Sequence, residues 1–74
     1  MDDKTYGQSL VGWNTNSYND PLVAELKAKY ADIIDTLDKV RAEADSPEKA
    51  RHCSVAITEA QTAQMWAVKA VTWS

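Results

Sequence analysis

The sequence predicts an all-α fold: an antiparallel helical hairpin with an irregular N-terminal arm, assembling into a helical homo-oligomer. Three observations predict it. Two long segments carry apolar residues in steps of three and four, the spacing that lines one face of a helix. A single short break, Asp45-Ser46-Pro47, separates them, and so short a connection returns the chain antiparallel. The second segment is apolar on more than one side, which a single partner helix cannot cover.

The chain reads as one domain, residues 1–74, with an arm over 1–20 and helices over 21–44 and 47–73. The arm, MDDKTYGQSLVGWNTNSYND, holds both glycines and a cluster of asparagine and serine, and it shows no helical period. A loop or short extended segment is expected there. The first helix starts where Asp20 can cap free N–H groups and Pro21 suits the first helical position. Its stripe is Val23, Leu26, Tyr30, Ile33, Leu37, Val40 and Ala44. The break at Asp45-Ser46-Pro47 follows, because the residue before a proline is pushed out of the α region and Ser46 can cap the next helix. At about 1.5 Å per residue the two arms span about 36 and 40 Å, so they match.

In the second helix Ala56, Ala60, Ala63, Ala67 and Ala70 form a stripe of small side chains, where another backbone can approach closely. A second stripe of Val55, Thr62, Trp66 and Trp73, with Met65 beside it, lies on a different side. Two apolar surfaces and one partner helix require other copies of the chain. The tryptophans are expected in a core or interface, with a dimer as the minimum assembly.

Seventy-four residues bury too little surface for a large independent core, which points the same way. One cysteine, Cys53, excludes an internal disulfide and a Cys-x-x-Cys metal site, and it suits a reducing cytoplasm. No signal peptide, transmembrane span or membrane association is expected, since Asp2, Asp3 and Lys4 open the chain and no uninterrupted apolar run follows. Eight Lys and Arg against eleven Asp and Glu leave a net charge of −3, which argues against sequence-independent binding to DNA. A small anionic ligand needs only a few well-placed donors and is compatible with that charge.

Few residues are equipped for catalysis. His52 and Cys53 are adjacent, so on a helix they point about 100° apart and cannot pair as base and nucleophile. Cys53 is expected as a small buried side chain and His52 as an exposed helical residue. Asp32, Asp35 and Asp38 recur every three residues without a histidine, and they read as a solvated face rather than a metal or acid–base cluster. No metal, cofactor or catalytic residue is expected. Arg51 and Lys27 both sit near helix starts, where anions are favoured; each reads either as a surface charge or as an anion contact. Along the hairpin from Ser46, Lys27 lies about 28 Å away and Arg51 about 7 Å. A pocket using both therefore needs two antiparallel copies. Trp13 and Tyr18 either stack on a planar ligand or fold the arm back onto the hairpin.

The run Arg51-His52-Cys53-Ser54-Val55-Ala56-Ile57-Thr58, continued by Glu59-Ala60-Gln61-Thr62-Ala63-Gln64-Met65-Trp66-Ala67, resembles the hairpin domain of phage anti-CBASS and anti-Thoeris sponge proteins. The family form reads approximately Ser-Arg-Glu-x-Ser-x-Ala-x-Thr-x-Leu-Glu-x-Ala-x-x-Trp-Ala. Arg51, Ser54, Ala56, Thr58, Ala63, Trp66 and Ala67 match it, while His52 stands for the usual Glu and Ala60 for the usual Leu. The N-terminal half resembles one branch of that family through Gly7, Leu10, Val11, Gly12, Asn16, Asp20, Pro21 and Lys27, and departs from it at Thr15, Ser17, Tyr18 and Asn19.

The resemblance implies a non-catalytic protein that binds cyclic di- or trinucleotides, or a cyclic ADP-ribose-type ligand, and withholds them from the host's effector. It implies a homo-oligomer, a hexamer in the family's known form, with pockets between protomers and a place of work in the host cytoplasm. It assigns Arg51 to a phosphate or a base face, Thr58 to a ligand hydrogen bond or the pocket lining, and Lys27 to a phosphate. Asn16 and Ser17 would donate from the loop, with Trp13 or Tyr18 as a stacking surface. The alternative from a different class is a small oligomeric protein-interaction module with no nucleotide ligand.

Overall fold

The computed structural model describes residues 4–12 and 20–73. Three helices follow one another: α1, Tyr6–Leu10; α2, Pro21–Ala42; and α3, Pro47–Thr72. The described residues contain no strand.

Helix α1 departs from the expected irregular arm. Five residues are too few to show a hydrophobic period, and what makes the helix is its cap. The Thr5 hydroxyl accepts from the Gln8 amide at 3.0 Å while the Gln8 side chain accepts from the Thr5 amide at 3.0 Å, a reciprocal capping box. At the other end Gly12 takes φ 72°, the left-handed region that glycine enters without steric cost. Gly7 is the contact point with α2. A Cβ there would collide with the Ala31 carbonyl oxygen and lie 2.9 Å from Asp35 Oδ1.

Helix α2 starts on Asp20, whose carboxylate accepts from the Leu22 amide at 2.9 Å, with Pro21 in the first turn. It ends at Ala42, two residues before the expected Ala44, because the Glu43 amide bonds back to the carbonyls of Lys39 and Val40 and tightens the last turn. Ser46, extended at φ −152° and ψ 152°, caps α3 by accepting from the Lys49 amide at 3.2 Å. Helix α3 closes at Thr72, with the Trp73 amide bonded to the Ala70 carbonyl.

The core is a small cluster of Val11, Ala31, Ile34 and Ile57, flanked by Leu10, Tyr30, Leu37 and Ala60. The buried face of α2 keeps Val23 of the expected stripe, with Leu26, Tyr30 and Leu37 half-buried, but its centre shifts to Ala31 and Ile34. Ile34 is 0% exposed, whereas Ile33 is 50% exposed and Val40 also faces out. Ala31 and Ile34 keep the same three-and-four stepping as Tyr30 and Ile33, so periodicity fits either set; docking of Gly7 and Ile57 decides between them. On α3 the inward face is Cys53, Ile57 and Gln64. The alanine stripe straddles the edge of that face, with Ala56, Ala60 and Ala67 half-buried and Ala63 and Ala70 exposed. Trp66 and Trp73 are 64% and 74% exposed, so neither belongs to the core of the single chain.

The molecule measures 44 × 31 × 12 Å. The chain exposes 5254 Å² where a globular chain of this size exposes about 4,500 Å².

Candidate functional site

The side of α3 turned away from the hairpin carries the candidate ligand contacts. Arg51 and Thr58 are seven residues apart, which on a helix of 3.6 residues per turn places them within about 20° of one another. Val55, Thr62 and Lys69 continue the strip toward the C-terminal end. The Arg51 side chain is 68% exposed, and its Nη1 lies 3.9 Å from Glu48 Oε1. His52 Nε2 sits closer to that same oxygen, at 2.9 Å. Exposed pairs of this kind hold a side chain weakly, so the Arg51 fork can turn to a carboxylate-like or phosphate-like acceptor at small cost. The Thr58 hydroxyl donates to the Ser54 carbonyl at 3.1 Å, and Thr58 is exposed, so its oxygen keeps acceptor capacity.

Ser54 and Arg41 tie the helices together. The Ser54 hydroxyl accepts from Arg41 Nη1 at 3.1 Å. Arg41 Nη2 donates to Asp38 Oδ1 at 2.8 Å, and its guanidinium lies 5.6 Å from the centre of the Tyr6 ring. Contact with the Tyr6 side chain first, and Asp38 second, raises its pKa from the ordinary arginine value. One side chain thus touches all three helices. Sequence reasoning missed it, and only the spacing Asp38 to Arg41, a favourable helical pair, hinted at part of it. Nor are the three aspartates one solvated face: Asp38 holds Arg41, Asp35 Oδ1 accepts from the Gly7 amide at 2.6 Å, and Asp32 alone is exposed.

Lys27 is half-buried in the second turn of α2, and its Nζ donates to the Val11 carbonyl at 2.8 Å. It stands at the opposite end of the hairpin from Arg51, so one protomer does not bring the two together. Trp13, Asn16, Ser17 and Tyr18 lie outside the described residues. At the far end of α3, Trp66, Lys69, Ala70 and Trp73 line a shallow cleft of about 330 Å³, with Lys69 Nζ 5.1 Å and 5.7 Å from the two indole rings.

Residues 9–72, most of the chain, match a family model described as Acb2/Tad1, hairpin domain. The chain belongs to that family. The match runs from the second half of α1 to the last residue of α3, so all seven candidate ligand contacts fall inside it. No curated protein and no solved structure is matched. The Acb2/Tad1 hairpin domain is known for sequestering cyclic nucleotides and as non-catalytic. Among the described residues of this member, no group of three or more His, Cys, Asp or Glu could hold a metal ion. No described helix is long and apolar enough to cross a membrane.

Proposed function

We propose that this chain binds a cyclic oligonucleotide or cyclic ADP-ribose-type second messenger and sequesters it uncleaved, keeping a host defence effector inactive. The observation that carries this reading is the hairpin-domain match over residues 9–72. The exposed Arg51 and Thr58 sharing one side of α3 support it. Arg51 supplies a planar two-pronged donor for a phosphate or a stacking face for a base; Thr58 supplies an acceptor. Lys27 neutralises a second phosphate, and Asn16, Ser17, Tyr18 and Trp13 complete the contacts from the preceding loop.

Because Lys27 and Arg51 occupy opposite ends of one hairpin, the pocket is built between antiparallel protomers of a homo-oligomer, a hexamer in the fullest form. The place of work is the host cytoplasm, where the messenger is made, and DNA is not a ligand. A protein that performs no turnover must match its ligand in amount and hold it tighter than the receptor does. Calorimetric titration with a panel of cyclic di- and trinucleotides and cyclic ADP-ribose isomers tests this. At least one should bind in the nanomolar range and be recovered chemically intact after heat denaturation of the protein. Silence across the whole panel would sink the proposal.

The exposed Trp66 and Trp73 favour a second reading, an oligomeric protein-interaction module with no nucleotide ligand. Under it, Arg51→Ala leaves function unchanged, and a defined protein partner is lost with Trp66→Ala.

A further inference from the structure

Helix α1 is held against α2 at three points, and the last of them is a residue of the proposed ligand site. At the first, the Gly7 amide donates to Asp35 Oδ1 at 2.6 Å, a short charge-assisted bond. The absence of a Cβ on Gly7 lets the two backbones touch, since a methyl there would overlap the Ala31 carbonyl oxygen. At the second, the Tyr6 ring lies against the Arg41 guanidinium. The third is Val11, itself buried, whose carbonyl accepts from Lys27 Nζ at 2.8 Å. Gly12 then turns the chain past the ammonium, with its Cβ direction 3.4 Å from Nζ.

These contacts form a chain of dependence. A five-residue helix does not persist in water on its own, so α1 keeps its place through its contacts with α2 and through Val11 in the core beside Ile34 and Ile57. The Val11 carbonyl is where it is because Gly7 is seated on Ala31 and Asp35. Lysine otherwise samples many rotamers, and ordering such a side chain at the moment of binding weakens affinity. An ammonium carries three donors, so the bond to Val11 is compatible with a bond to a phosphate oxygen.

We propose that Gly7 and Asp35 are positioning residues for ligand binding: they seat α1 as a strap whose Val11 carbonyl fixes the Lys27 ammonium in advance for an anionic ligand. The inference rests on the reading above that Lys27 meets a phosphate. It adds that affinity is set in part by two residues that touch no ligand.

The test has two arms on the full-length assembled protein. In the first, without ligand, the Lys27 ammonium is followed by nitrogen-15 NMR. It should be ordered in the wild type and mobile in Gly7→Ala and Asp35→Ala, while Asp35→Asn, which keeps an acceptor oxygen, retains the order. In the second arm the cyclic-nucleotide panel is titrated into the same proteins and into Lys27→Met. Gly7→Ala and Asp35→Ala should bind about three- to tenfold more weakly, the cost of ordering one long side chain. Asp35→Asn should stay close to wild type, and Gly7→Ala should add nothing on top of Lys27→Met. Circular dichroism confirms that α2 and α3 persist in each variant. Equal Lys27 order in wild type and Gly7→Ala overturns the inference without reference to any ligand. So does wild-type affinity in Gly7→Ala, or a further loss when it is combined with Lys27→Met; in those cases the sponge reading stands. If the wild type binds nothing in the panel, the sponge reading falls and the ligand-free arm decides whether Gly7 and Asp35 position Lys27.

Discussion

Two isoleucines side by side on α2 separate what the fold needs from what the surface tolerates. Ile34 is fully enclosed and Ile33 half exposed. Ile34→Ala should destabilise by about 2–5 kcal/mol through lost burial and an unfilled cavity, enough to unfold a chain with so small a core. Ile33→Ala should stay within about 0.5 kcal/mol in the isolated protomer. Chemical denaturation of the pair checks this, and equal losses would mean that the α2 face is assigned wrongly. Arg51 stands at the other extreme, since nothing in the fold depends on it. Arg51→Ala should therefore weaken ligand binding by about tenfold or more, the loss of a charge-assisted contact, with helicity unchanged by circular dichroism. A fall in helicity of the same variant would assign Arg51 to the fold instead.

At the scale of elements, the two long helices were legible because their boundaries are written in caps: Asp20-Pro21 and Ser46-Pro47 both cap where those residue types imply. Helix α1 was hidden by its length. Its signal was present, Thr5 followed three residues later by Gln8, but no apolar run of helical length accompanies it. Removing that cap tests its weight. Thr5→Ala should cost α1 about 0.5–2 kcal/mol and raise hydrogen exchange at Gly7 to Val11 while leaving α3 protected. Unaltered exchange in α1 would mean that docking alone holds it. The candidate site divides in the same manner. Arg51 and Thr58 were readable because both belong to one local motif on one helix. The partner of Lys27 was not, since Val11 comes near it only after α1 folds back over α2, a contact sixteen residues away that no local pattern encodes. Asp35 and Arg41 escaped for the same reason: as helical residues they look like surface charges, and their partners Gly7, Tyr6 and Ser54 lie on other helices.

At the scale of the molecule, a small core leaves Ile33, Met65, Trp66 and Trp73 exposed, and assembly is a way to bury them. Light scattering at micromolar concentration should find a multimer. Ala63 is exposed in the single chain, so Ala63→Leu has room within the protomer and should disturb only the association of copies, through overpacking of a close approach. An unchanged assembly state would place the interface elsewhere. The four-residue connection over 43–46 adds a kinetic corollary. Helical hairpins joined by short turns are rich in local contacts and fold in microseconds to milliseconds, so for the proposed pocket between protomers the bimolecular meeting of finished hairpins would set the pace. Recovery of ligand binding after dilution from denaturant should accelerate with protein concentration while recovery of helicity does not. Under the proposed function, sequestration would then begin abruptly, once synthesis carries the chain past the concentration at which its copies find one another.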